Sequence, residues 1–145
     1  MKKTFTAKKN EIEKKWYILD AKGQTLGKVA VLAADILRGK KKSIFSPHID
    51  TGDYIIIINI EKIRVSGNKG EGKKYYWHSW YPGGLKVKTF NEAFEKNPKF
   101  VIEHAVSGML PKNRLQDDFL KKLKLYIGEK HEHEAQKPIE ISISQ

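Results

Sequence analysis

Cysteine is absent from the 145 residues. That excludes disulfides, thiolate nucleophiles and thiolate metal centres, and fits a reducing cytosol. Long apolar runs are missing too. The most strongly hydrophobic is Tyr54-Ile55-Ile56-Ile57-Ile58, far short of the ~20 residues a spanning helix needs. Its length and β-branching mark a buried strand instead. Met1-Lys2-Lys3 leads into no apolar segment, so a secretory signal is not expected, and the early Glu11 and Glu13 speak against an organelle transit peptide. There is no internal repeat and no low-complexity tract. Acids are scarce: 17 Asp and Glu against 28 Lys and Arg leave a net charge of +11. Such an excess predicts a polyanionic partner, and without a spanning segment nucleic acid is a better fit than a membrane.

What is abundant is concentrated in Ser66 to Lys88, SGNKGEGKKYYWHSWYPGGLKVK. A basic, glycine-rich loop (Gly67 to Lys74) leads into the aromatic run Tyr75-Tyr76-Trp77-His78-Ser79-Trp80-Tyr81. Pro82-Gly83-Gly84 turns the chain, and Lys86 and Lys88 follow. Cations beside flat rings suit phosphates and stackable bases. The plainer alternative is a β-hairpin whose rings pack on a core and whose lysines are solvated. Strand faces alternate, so only every second ring can point outward.

The rest of the chain reads as one α/β domain over residues 16–128, with a basic arm over 1–15 and a tail over 129–145. Trp16 to Asp20 predicts a first strand and Ala21-Lys22-Gly23 a turn. Thr25 is placed to cap a helix running to about Arg38, and Gly39 to end it. Leu26, Val29, Ala30, Ala33, Ile36 and Leu37 share one stripe of that helix. Strand, helix and the Ile55–Ile58 strand form a βαβ unit, which argues for a parallel sheet. Thr89-Phe90-Asn91-Glu92 reads as a capping box. Asn97-Pro98 reads as the N-cap and first residue of a helix that stops at Gly108 to Pro111. Asn113 is expected to cap a further helix carrying Leu115, Phe119, Leu120 and Leu123. Leu125-Tyr126-Ile127 is expected as a last short strand.

Catalytic motifs are weak. Gly67-Asn68-Lys69-Gly70-Glu71-Gly72-Lys73 matches half of a P-loop, but Lys74 stands where Ser or Thr should hold magnesium, and β-formers follow where a helix should. His131-Glu132-His133 could share a strand face, yet no third ligand sits at metal spacing. His78-Ser79 lacks the acid and oxyanion donors of a triad. Asp50 and Asp53 flank Thr51-Gly52 and fit Asx-type turns better than an acid pair. Lys40-Lys41-Lys42 exceeds what a helix C-terminus needs, which favours phosphate contact. Lys112-Asn113-Arg114 is a second compact basic turn.

These strings, in this order, resemble the bacterial-type L-thirteen family of large-subunit ribosomal proteins. The likeness runs nearly end to end: Met1-Lys2-Lys3-Thr4-Phe5, Trp16-Tyr17 through Asp20-Ala21, Leu37-Arg38-Gly39-Lys40, Pro47-His48-Ile49-Asp50-Thr51-Gly52-Asp53-Tyr54, Ser66-Gly67-Asn68-Lys69, Tyr81-Pro82-Gly83-Gly84-Leu85-Lys86, Gly108-Met109-Leu110-Pro111-Lys112-Asn113 and Ala135-Gln136-Lys137-Pro138. Two positions depart from the family pattern. Lys28 stands where arginine is usual, losing the bidentate fork, and Glu132 and Glu134 make the histidine segment more acidic.

The resemblance implies a three-layer α/β/α fold around a small, mainly parallel sheet of about four strands. It implies a non-enzymatic structural constituent of the large ribosomal subunit in the cytoplasm, which binds large-subunit ribosomal RNA beside neighbouring ribosomal proteins and joins early in assembly. Isolated members are implied to bind that RNA poorly. The candidate RNA contacts are Lys40, Lys41, Lys42, His48, Lys69, Lys73, Lys74, His78, Lys86, Lys112, Asn113, Arg114 and Lys121. No cofactor, metal, membrane or small-molecule substrate is expected, and a further role on messenger RNA stays open. The competing function is a free single-stranded nucleic-acid binding module that uses the aromatic run as a platform.

Overall fold

A computed structural model describes residues 7, 8 and 11–143. The expectations for most of the N-terminal arm, including Met1 to Phe5, lie outside the described residues. Strand β1 (Trp16–Asp20), helix α1 (Leu26–Arg38) and strand β2 (Tyr54–Ile58) build the expected βαβ unit. The two strands pair in parallel, from Trp16 opposite Tyr54 to Asp20 opposite Ile58. Strands β5 (Leu123–Leu125) and β6 (Ile139–Ile141) add to its two sides, giving the order β5-β2-β1-β6 with every pairing parallel. The architecture is three-layer α/β/α.

The β2 isoleucines show why this sheet must be covered on both faces. Ile55 and Ile57 join the main core, whereas Ile56 points the other way, and all three are fully buried. A continuous apolar run of this kind is the pattern of a parallel strand between two layers. Val29, Ala30, Ala33 and Leu37 of α1 and Val101, Ile102 and Val106 of α4 (Pro98–Met109) complete the main core. Ala34 is buried where the stripe placed Ile36, which is only half buried.

Helix ends follow local chemistry. Gly39 takes φ 72° and donates back to the carbonyls of Asp35 and Ile36, closing α1; glycine bears this left-handed geometry without a Cβ penalty. Thr25 occupies the N-cap of α1 but makes no side-chain cap bond. Thr89 and Glu92 form the full capping box of α3 (Phe90–Lys96). The Asn97 side chain accepts from the Phe100 N–H at the start of α4, with Pro98 in its first turn.

Four local expectations are corrected. The basic loop holds one helical turn, α2 (Lys69–Gly72), before strand β3 (Lys74–His78). Helix α5 (Leu115–Lys121) is preceded by Arg114, and the Asn113 side chain does not cap it. Leu123 belongs to β5 and not to that helix, because Leu123 and Leu125 alternate into the core on either side of Lys124. The expected last strand Leu125-Tyr126-Ile127 forms two residues earlier, as β5, and the tail adds β6 beside β1. Short 3₁₀ turns at Ile60–Lys62 and Glu134–Gln136 also lie among the described residues. No described helix is long and apolar enough to cross a membrane.

Candidate nucleic-acid interface

The aromatic run folds as a two-stranded antiparallel hairpin, β3 with β4 (Leu85–Thr89), separate from the main sheet. Its turn is built by the Tyr81-Pro82-Gly83-Gly84 sequence, with Gly83 at φ 69° and the Gly84 N–H donating to the Tyr81 carbonyl at 2.9 Å. Proline then left-handed glycine is the pattern of a type II turn. Trp80 also takes a left-handed φ of 65°. Its N–H donates to Nδ1 of His78 at 2.8 Å, which ties the turn to the strand end. The expected contact His78 therefore shapes this loop.

The strand alternation resolves the rings one by one. Tyr75 is buried under α4, with its ring edge-on to His104 at 5.1 Å and to Phe100 at 5.8 Å. Burial pushes its phenol above the ordinary tyrosine value. Trp77 shares that inward side of the strand and remains half open, while Tyr76 faces away. At the tip Trp80 is 91% and Tyr81 75% exposed, far more than packing on a core would leave.

The lysines around the hairpin carry free charge. Among the described residues no carboxylate lies within ion-pair distance of Lys69, Lys73, Lys74, Lys86 or Lys88. The ammonium of Lys73 lies 5.5 Å from the Tyr75 ring and that of Lys88 lies 5.1 Å from the Trp77 ring, within cation–π range. Lys69 and Lys73 also line a groove of about 1100 Å³ that runs past Thr25 and Gly27 at the start of α1.

The first basic string sits elsewhere. Helix α1 spans 13 residues, so at 1.5 Å per residue the Lys40 cluster lies roughly 20 Å from that groove. Lys40 and Lys41 are exposed, and so is His48. Lys42 turns inward: it donates to Asp53 at 2.6 Å and to the Glu13 carbonyl at 3.1 Å. Asp53 also accepts from the Lys15 N–H at 2.7 Å, so it binds the end of the arm and forms no Asx turn. Asp50 does form one, accepting from the Gly52 N–H at 3.1 Å.

Asp50 has a second partner that the sequence did not reveal. Lys122 is 3% exposed, and its ammonium donates to Asp50 at 2.5 Å and to the Leu37 carbonyl at 3.0 Å. Lys14 reaches the other Asp50 oxygen at 3.0 Å. Burial raises the Asp50 carboxyl, but hydrogen bonds from Lys122 and Lys14 outweigh it and hold the group below its ordinary value. Burial pushes Lys122 down, and Asp50 offsets only part of that. Gly52 makes the close approach possible, since a Cβ there would lie 1.6 Å from the Leu37 carbonyl oxygen.

Lys112, Asn113 and Arg114 are exposed in the turn between α4 and α5. Lys121 is exposed and pairs with Asp118 at 3.2 Å, one turn away. The candidate contacts thus fall into separate patches, of which only the hairpin gathers several unpaired lysines and open rings. The sequence reading missed Phe100 and His104 as neighbours of the hairpin. Their i, i+4 spacing places them on one helix face, but nothing local says that a hairpin lies against it. Among the described residues no group of three or more histidines and acids could hold a metal. His133 instead bonds the Tyr126 hydroxyl at 3.0 Å and packs on Trp16.

Comparison with known proteins gives a consistent result. The family model for Ribosomal protein L13 matches residues 14–132. The protein named large ribosomal subunit protein uL13 in Aquifex aeolicus is 56% identical over 136 residues, covering 94% of this chain and 94% of that one. Its namesake in Carboxydothermus hydrogenoformans is 54% identical over 138 residues, covering 95% of this chain and 96% of that one. The one in Chlorobium luteolum is 50% identical over 141 residues, covering 97% and 95%. With a match of this extent, this chain belongs to the ribosomal protein L13 (uL13) family.

Proposed function

We propose that this protein is a structural constituent of the large ribosomal subunit, that it binds and stabilises large-subunit ribosomal RNA, and that it joins the particle early. The observation that carries the reading is membership, over most of the chain, in a family whose members bear that subunit's name. The placement of charge supports it. A rigid α/β core holds Lys40 and Lys41 at one end of α1 and the hairpin lysines at the other, with Lys112 and Arg114 on a third turn. Each patch can neutralise phosphates of RNA segments that would otherwise repel one another, and counterion release drives the binding. A protein of this kind does no chemistry. It positions RNA, and neighbouring ribosomal proteins abut it. Nothing in the geometry favours messenger RNA over ribosomal RNA.

The open rings of Trp80 and Tyr81 favour a second reading, a free single-stranded nucleic-acid binding module. Sedimentation of a tagged copy through a sucrose gradient, with and without a high-salt wash, separates the two. Co-migration with large subunits that survives the wash is the expected result. Protein left at the top of the gradient in both conditions overturns the ribosomal role and favours the free module.

A further inference from the structure

Between the hairpin and α4 lies a cavity of about 400 Å³, at the small end of the range for sites that enclose one small molecule. Its walls include Tyr75, Trp77, Phe100 and His104, and Lys88 and Lys96 also line it. Tyr75 is held by edge contacts with Phe100 and His104, so that part of the wall is fixed. Trp77 and Phe100 are each 43% exposed. They leave large apolar faces in water on the inward side of the hairpin, where a strand ring would ordinarily pack.

Two further features are polar. The Tyr75 hydroxyl is buried and has no hydrogen-bond partner. It lies behind the wall, closed to a ligand in the slot. Lys88 stands beside the Trp77 ring, and among the described residues neither it nor Lys96 has a carboxylate partner. A slot with aromatic walls and cations suits a ligand that joins a flat heteroaromatic ring to a phosphate. Single-stranded RNA offers that combination wherever a base leaves the stack. A protein side chain brings a ring or an apolar group without an obligatory anion beside it.

We propose that this cavity receives one unstacked base of single-stranded RNA, with the adjoining phosphates on Lys88 and Lys96. The proposal rests on the ribosomal RNA reading above and adds to it a contact with a base, where the other patches meet only backbone. Trp77, Phe100 and His104 stack on or flank the base.

The full chain is titrated with adenosine 5′-monophosphate and, separately, with ribose 5-phosphate, and the three indole N–H signals are followed by NMR. The nucleotide shifts the Trp77 signal and the His104 ring signals and leaves Trp16 in place, while ribose 5-phosphate shifts neither. Trp77→Ala, at a half-exposed position, weakens nucleotide binding about tenfold, as loss of one stacking ring does. Equal responses to both probes mean phosphate binding by lysine alone and overturn the proposal. A response confined to Trp80, or none, does the same.

A photoreactive variant, Phe100→p-benzoylphenylalanine, then tests the particle. After wild-type co-sedimentation has been checked, crosslinks are mapped in purified large subunits. An adduct on ribosomal RNA is expected. An adduct on a neighbouring protein gives the cavity to that protein and overturns the base proposal, as does the absence of any adduct. Either result leaves the ribosomal role standing, because sedimentation reports on it separately.

Discussion

Two lysine-rich regions of this molecule use the same residue type in opposite ways. Around the loop Asp50 to Asp53, lysines from distant parts of the chain turn inward. Lys14 and Lys122 meet on Asp50 and Lys42 meets Asp53. Around the hairpin, Lys69, Lys73, Lys74, Lys86 and Lys88 have no carboxylate partner among the described residues. The first region closes the fold and the second offers charge to a partner. The difference lies in where the acids are. Asp50 and Asp53 sit on a loop that packs under Leu37, whereas Glu71 is the only acid between Ser66 and Lys88. A lysine string therefore identifies a polyanion site only after its nearby carboxylates have been located in three dimensions.

The largest expected effect comes from emptying the first region. Asp50→Ala leaves the Lys122 ammonium buried with one carbonyl partner. Breaking a buried pair from one side costs about 3 kcal/mol or more, so the urea midpoint should fall accordingly. The double variant Asp50→Ala/Lys122→Met should recover most of that loss, because a buried pair replaced by apolar groups is often near neutral. If the single variant unfolds at the wild-type midpoint, Asp50 and Lys122 do not close the fold and the two regions are alike.

Much of the fold could be read from the chain because the signals were local. The stripe on α1, the αL glycine at position 39, the Thr89–Glu92 box and the β-branched β2 each declare their element within a few residues. The candidate site was legible only in part. Nothing local sets Lys122 apart from Lys121 and Lys124, and only the fold, which closes its 85-residue separation from Leu37, puts it in the core. β6 was missed because Ile139-Glu140-Ile141 is three residues long, too short for a periodic signal, and its pairing with β1 is entirely non-local. The hairpin's alternation was foreseeable from period two, but which side faced α4 was not. Tyr75 and Trp77 became cavity walls and Tyr76 an outward ring through a tertiary choice that propensity does not encode.

Acid should separate the two regions next, with a smaller effect than the Asp50 substitution. Folded Asp50 binds its proton less tightly than the unfolded chain does. Its stabilising contribution is thus fully present above the ordinary value of 3.8 and is lost as pH falls through the lower folded value. Lys122 works in the other direction. Its amine releases its proton more readily in the fold, so stability gains as pH rises from that folded value toward 10.5. Urea midpoints followed across pH should show the acid loss in wild type and a weaker one in Asp50→Ala/Lys122→Met. Identical acid limbs in the two proteins would remove Asp50 from the account.

The smallest effect on stability, and the sharpest contrast, belongs to the hairpin. Lys74→Ala/Lys86→Ala removes two exposed cations that touch no carboxylate among the described residues. Surface substitutions of this kind change stability by about 0.5 kcal/mol or less, so the urea midpoint should stay where it is. Retention on large subunits should nevertheless weaken. Each lost contact with a single-stranded phosphate lowers the magnitude of the log–log salt slope by about 0.7, and a salt series of sucrose gradients measures that. Lys42→Ala is the matched control. It should shift the midpoint, because Asp53 is left largely buried without its ammonium, and should move the salt slope little, because that ammonium already points inward. A Lys74/Lys86 variant that loses stability but keeps its salt slope would reverse the assignment of the two regions.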